Sequence, residues 1–282
     1  MKAFIIDVSI CNGCHCCQIA CKDEHVGNDW TPYAKPQPDT GQFWLKLNEN
    51  VRGTVPKVKV AYRAHLCMHC TDAPCVKSCP IEGALYTRPD GLVIIDPVKC
   101  TGCKNCVDAC PYNVIYFNED LNIAQKCTGC AHLLDSGWKE PRCADVCPTG
   151  AIKFGEESAF EAEIKKGEVW QPELNLKTRV YYLNLPRRFV AGTLYDPVAK
   201  EVIIGATCTL SEAGSGKKST AATDGFGDFW FEGLKVGKFS LKIESNGKSK
   251  TIGPISTERD VNLGDIPLSQ WAGKTDLLQI VT

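Results

Sequence analysis

The chain has 282 residues, 18 cysteines and nearly balanced charge, 32 Lys+Arg against 33 Asp+Glu for a formal net of −1. That balance argues against a general electrostatic nucleic-acid binder, and no run of about 18 apolar residues exists to cross a bilayer. The length allows one or two domains with cores of their own, so the cysteines do not mark a small disulfide-stapled scaffold.

The N-terminal stretch Met1–Asp7 reaches an acid after four apolar residues, shows no cleavage-site pattern and reads as no secretory signal. A first cysteine packet follows, Cys11-x2-Cys14-x2-Cys17-x3-Cys21, with Cys16 as an extra thiol inside it. Residues 22–66 form a cysteine-free insertion with Trp30, Tyr33, Phe43 and Trp44 among four prolines. They read as a loop packed over the cysteine-rich region, its aromatics suited to contact a partner chain. The second packet is Cys67-x2-Cys70-x4-Cys75-x3-Cys79-Pro80. Next, Leu85-Tyr86-Thr87 and Leu92–Ile95 flank Arg88-Pro89-Asp90-Gly91, a turn in which proline fixes φ and glycine supplies a positive one.

The third packet is Cys100-x2-Cys103-x2-Cys106-x3-Cys110-Pro111. A second short hairpin, Ile115–Phe117 and Asn122–Ala124 about a polar turn, leads to the fourth, Cys127-x2-Cys130-x12-Cys143-x3-Cys147-Pro148. Neither hairpin is long enough to stand alone. Residues 154–188 read as a connector with one short helix, opened by a capping Ser158 and closed by Gly167, then an extended stretch to Arg188. From Phe189 short alternating strands begin, clearest at Thr207–Leu210, Asp228–Phe231 and Phe239–Ile243, with Ile266-Pro267 closing the domain. Residues 269–282 read as a loose or partner-bound tail.

Seventeen of the 18 cysteines lie before residue 148, in packets rather than spread to clip distant loops. The run C-x2-C-x2-C-x3-C-P is that of bacterial ferredoxins: three thiolates on one loop reach a single cubane and the fourth points to its neighbour. Disulfide and zinc-ribbon readings fit four complete packets less well. The surroundings repeat too. Ile6-Asp7-x3-Cys11-x-Gly13-Cys14 matches Ile95-Asp96-x3-Cys100-x-Gly102-Cys103, which supports duplication of one unit. Cys21 departs from the pattern, with Lys22 behind it instead of proline.

The four packets in this order resemble the four-cluster electron-transfer subunits of the dimethyl-sulfoxide-reductase-type molybdopterin oxidoreductases. The resemblance implies four [4Fe–4S] clusters in two double-cluster modules. Cluster A would take Cys11, Cys14, Cys17 and Cys147, and cluster B Cys21, Cys127, Cys130 and Cys143. Cluster C would take Cys67, Cys70, Cys75 and Cys110, and cluster D Cys79, Cys100, Cys103 and Cys106. It further implies a large partner chain carrying a molybdenum or tungsten bis-pterin, with an additional electron donor or acceptor, and no catalytic residue on this chain.

The strings Cys127-Thr128-Gly129-Cys130-Ala131-His132-Leu133-Leu134-Asp135 and Arg179–Leu185 resemble the small subunits of the pyrogallol–phloroglucinol transhydroxylase type and of related anaerobic phenol hydroxylases and dehydroxylases. Subunits of the transhydroxylase type are expected to lack part of the inner packets. The complete set here suits net electron flow better than redox-neutral hydroxyl transfer. The phrase Gly205–Leu210 with Thr223-Asp224-Gly225 through Gly237 resembles the carboxypeptidase-regulatory-like, transthyretin-like sandwich, usually a structural or interaction module.

The reading is therefore an α+β chain: a duplicated double-cluster ferredoxin-like domain at 1–153, the connector at 154–188, and an all-β sandwich at 189–268. Its function is electron transfer within an anaerobic oxidoreductase, in the cytoplasm, or in the periplasm if exported with its partner. The alternatives are a free-standing polyferredoxin, or the small subunit of a sulfur, arsenic or sulfoxide reductase. Cys208 shares parity with Ala206 and Leu210 and reads as a core thiol, and Cys16 as non-ligating. His65, His69 and His132 lie beside the packets, where hydrogen bonds to sulfur could tune potential, but each reads first as an ordinary polar histidine. His15 and His25 read as ordinary polar residues.

Overall fold

A computed structural model describes residues 1–268, so the tail reading at 269–282 lies outside the described residues. The chain is α+β and divides into two contact units, Met1–Asn50 with Ala61–Leu185, and Val51–Val60 with residues 186–268.

In the first unit the regular elements are short and alternate with the packets. Lys2–Asp7, all apolar between its ends, is the middle strand of three, antiparallel to Ile152–Glu156 and parallel to Val180–Leu183. Leu85–Thr87 pairs with Val93–Ile95, and Ile115–Asn118 with Ile123–Lys126, both antiparallel. Gly91, in the Arg88–Gly91 turn, has φ 91°, the positive value the turn needs.

A longer hairpin, Leu45–Thr54 with Lys57–Leu66, lies inside the stretch read as a loop. Its alternation, Lys57-Val58-Lys59-Val60, is the period of a strand. Each packet is thus followed by a strand that pairs with the strand leading into the next packet. The last of these closes on the first, because Ile152–Glu156 follows Cys147 and pairs with Lys2–Asp7 ahead of Cys11.

The connector is built into this unit. Ser158 does not cap: a 3₁₀ turn takes Glu157–Phe160, no side chain bonds the helix start, and the helix runs Glu161–Lys166 before Gly167. Val180 and Tyr182 beyond it are fully buried.

The second unit is a sandwich of two four-stranded sheets. One contains Arg188–Asp196, Glu201–Val202, Asp228–Leu234 and Val261–Pro267; the other orders Lys218–Ala222, Thr207–Glu212, Lys238–Ser245 and Lys248–Ser256. Its core holds Val190, Leu194, Leu210, Phe229, Leu241 and Ile243, with Cys208 fully buried among them as its parity predicts. Burial pushes that thiol up to about 12. The hairpin tip Val51–Val60 belongs to this unit: Arg52 pairs with Asp260 at 3.1 Å, and Lys57 with Asp228.

Candidate metal centre

The x3 spacing acquires its reason in the short helices. Cys17 and Cys21 lie four residues apart on the helix Cys16–His25, both on its buried face. Cys75 and Cys79, Cys106 and Cys110, and Cys143 and Cys147 repeat that separation at Pro74–Ser78, Asn105–Asp108 and Arg142–Asp145. Four residues rise about 6 Å along a helix. Each such pair therefore reaches two neighbouring groups of thiols instead of one.

The sixteen packet thiols come together as four quartets. Cys17 lies in the field of Cys11, Cys14 and Cys147, and Cys143 in that of Cys21, Cys127 and Cys130. Cys70 likewise faces Cys67, Cys75 and Cys110, and Cys106 faces Cys79, Cys100 and Cys103. The groups are lettered A to D with Cys17 in A, Cys143 in B, Cys70 in C and Cys106 in D. Cys67, Cys70, Cys75 and Cys110 line one cavity, and Cys79, Cys100, Cys103 and Cys106 another. Among the described residues no set of three or more His, Cys, Asp or Glu is placed to hold a single metal ion.

Burial first, and the neighbouring thiols second, push Cys17, Cys70 and Cys106 up to about 12. Burial lifts Cys127 to about 11. Neutral thiols packed this way become ligands only when a cation displaces their protons. Cys147 differs. Burial raises it, but backbone N–H groups at Ile152, Thr149 and Ala151 and the Thr149 hydroxyl outweigh that and hold it below the ordinary thiol range. Buried, closely grouped thiols with backbone donors around them fit an iron–sulfur cubane.

Contacts between quartets set an order. Cys17 of A lies beside Cys21 and Cys143 of B, Cys127 of B beside Cys67 of C, and Cys75 of C beside Cys106 of D. The series is A–B–C–D. Every thiol of B and C is buried, whereas Cys14 in A and Cys103 in D are exposed. Cys16 is exposed and lies against Cys14.

The third position of each packet is Gly13, Gly102 and Gly129 in three cases, and His69 in the second packet. All four have positive φ, 43° for His69. A Cβ on Gly13 would stand 2.5 Å from the Tyr62 ring, so glycine is needed there for space as well. His69 holds this conformation against its steric cost. Its buried Nδ1 accepts from Val93 N–H at 3.0 Å, which leaves the proton on Nε2, 3.9 Å from the Cys127 sulfur. Burial drives its pKa well down, so the ring is a neutral donor from the second packet to a thiol of the fourth.

Among the described residues His69 is the histidine that reaches a sulfur. His65 instead binds the Tyr112 carbonyl at 3.0 Å and Arg63 at 3.2 Å. His132 meets Glu24 at 3.0 Å and stacks on Trp30. His25 is buried against Trp44 and His132, with burial pushing its pKa to about 3. The residue that sequence reasoning missed is Lys126, 2% exposed at the end of a hairpin strand, its ammonium donating to the carbonyls of Val93 and Cys127. A lysine next to a packet cysteine was the available signal.

Residues 58–157 match the model of the 4Fe-4S dicluster domain, and residues 190–268 that of the carboxypeptidase regulatory-like domain. Over 275 residues the chain is 40% identical to the pyrogallol hydroxytransferase small subunit of Pelobacter acidigallici, covering 94% of this chain and 98% of that one. It is 35% identical over 164 residues to the formate dehydrogenase-O iron-sulfur subunit of Escherichia coli (strain K12), 56% of this chain and 54% of the relative. It is 34% identical over 202 residues to a subunit of the sulfite dehydrogenase of Allochromatium vinosum, 66% and 83% of the two chains.

Proposed function

This chain belongs to the family of iron–sulfur electron-transfer subunits of molybdopterin oxidoreductases, and from that premise we propose that it holds four [4Fe–4S] clusters, one per quartet, in the series A–B–C–D. It is an oxidoreductase subunit without a catalytic site of its own. The observation that carries the count is the sorting of sixteen packet cysteines into four quartets with neighbouring thiols at each junction. A bound cubane supplies a one-electron couple whose potential follows hydrogen bonding, burial and charge.

The residues do the rest. Cysteines separated by one helical turn keep adjacent quartets close, and His69 donates toward Cys127 across the B–C junction. Burial shields the middle of the series from water, while Cys14 and Cys103 leave both ends open to partners. At one end we place a large chain with a molybdenum or tungsten bis-pterin, and at the other an electron donor or acceptor. Likeness along almost the whole length to a relative named for pyrogallol supports a phenolic substrate on that large chain. Complete packets favour net oxidation or reduction, as in a hydroxylase or dehydroxylase, over redox-neutral transfer of hydroxyl.

Anaerobic native purification tests the proposal. The expected result is a brown complex with about sixteen irons on this chain, a co-eluting pterin-bearing chain, and dye-linked turnover of a phenol. About eight irons, or a colourless zinc protein, would overturn the cluster count; isolation as a monomer at low salt would overturn the docking.

A further inference from the structure

Lys126 is a buried ammonium whose hydrogen-bond partners are neutral. Nζ donates to the carbonyl of Cys127 at 2.9 Å and to that of Val93. Cys127 is a thiol of quartet B, and Val93 lines the cavity of quartet C. The lysine therefore spans the B–C junction, and Cys75 and Cys110 on the C side and Cys127 on the B side all lie in its field. The other groups packed here are neutral His69 and Arg179, the latter neutralised by Glu157 at 2.6 Å.

A buried charge without an opposite charge is strongly unfavourable. Peptide carbonyls orient an ammonium but do not neutralise it. Among the described residues Lys126 forms no ion pair with a carboxylate, so the anionic groups at this junction are the ligand thiolates and whatever they hold. The same junction has a second electrostatic problem: B and C are wholly buried, and adding an electron to a buried group is disfavoured by lost solvation, whereas A and D keep some contact with water. One cation at the junction answers both.

We propose that Lys126 is the shared countercharge of the two middle clusters and a positioning residue for their potentials, holding B and C reducible enough to carry electrons between the exposed ends. This rests on the four-cluster reading. It assigns a role to one residue that hydrogen bonding alone does not predict, because a strut that merely ties Val93 to Cys127 would leave the potentials unchanged.

The test uses the full chain with its partner, prepared without oxygen, with iron counted first and all cluster midpoints measured by redox titration followed by electron paramagnetic resonance. Fewer than about sixteen irons in the unaltered protein defeats the four-cluster reading itself, before any variant is made. Given that count, Lys126→Met, which removes charge and donor, and Lys126→Gln, which keeps a donor, should each lower two of the four midpoints. The reduction equilibrium should fall about tenfold at each, 59 mV for a one-electron couple. The other two midpoints stay in place, and Lys126→Arg keeps all four near their original values.

If Met and Gln instead lose about eight irons while Arg holds about sixteen, the countercharge is needed for filling, which also supports the proposal. Four unchanged midpoints, a uniform shift of all four, or an Arg variant as impaired as Met would overturn it.

Discussion

Phe4, Ile6, Trp44 and Leu66 in the first unit are as deeply buried as Val190, Leu241 and Ile243 in the second, yet the two interiors are assembled differently. In the first, nine of the buried core positions are packet cysteines: Cys17, Cys21, Cys67, Cys70, Cys75, Cys106, Cys110, Cys127 and Cys143. The helices around them have four to ten residues and the two small hairpins three or four per strand, too little to hold by themselves. The second interior is aliphatic and aromatic, carried on strands of up to nine residues with one thiol among them. The contrast teaches that one chain can combine a unit whose order depends on what its thiols bind with a unit that depends on packing alone.

Stripping iron with acid and chelator attacks that contrast most directly. Hydrogen exchange should show protection lost across Val93–Ile95 and Ile123–Lys126 but kept across Phe239–Ile243; equal behaviour of both segments would erase the distinction. The converse is Phe229→Ala. Phe229 is 1% exposed, and its truncation should destabilise the sandwich by about 3–5 kcal/mol while leaving the iron content unchanged. Asp260→Ala comes next. It removes the partner of Arg52 and the acceptor of Phe189 N–H, a loss of about 2 kcal/mol after allowing for the part of Arg52 that water reaches. The loss is read from the sandwich's denaturant midpoint.

His69→Gly sharpens the comparison within the cluster unit. Glycine relieves the left-handed backbone but abandons Val93 N–H and the Cys127 sulfur. The expected effect is full iron content with the B midpoint lowered by the equivalent of about 1 kcal/mol, read by redox titration. Lys59→Ala should do least. Its bridge to Glu232 is exposed at both ends, and thermal unfolding should register less than about 1 kcal/mol.

Local chemistry was the legible part. Arg88-Pro89-Asp90-Gly91 names its own turn, and the alternation at Thr207–Leu210 and Phe239–Ile243 names strands, because each signal is complete within a few residues. The packets are legible for the same reason: spacing on a short helix decides which thiols can meet. What stayed hidden depends on distant partners. The hairpin around Gly53-Thr54-Val55-Pro56 carries a strand pattern, but among prolines it read as a loop. The carboxylates that hold its tip, Asp228 and Asp260, lie more than 170 residues downstream. The parallel pairing of Val180–Leu183 with Lys2–Asp7 leaves no local trace, and the burial of Lys126 leaves only its place beside Cys127, since a lysine in a hairpin is ordinarily at the surface.

The pairing of Lys2–Asp7 also sets a timetable. This strand is translated well before its partners Ile152–Glu156 and Val180–Leu183, which come about 150 and 180 residues later. At roughly 5–20 residues per second, Phe4, Ile5 and Ile6 wait about 7 to 30 s with both strand edges open. Over the same interval Cys11, Cys14 and Cys17 wait for Cys147, while Cys67 to Cys110 are already complete. The inner packets can therefore come together on the nascent polypeptide before the strand Lys2–Asp7 and the first packet meet their partners.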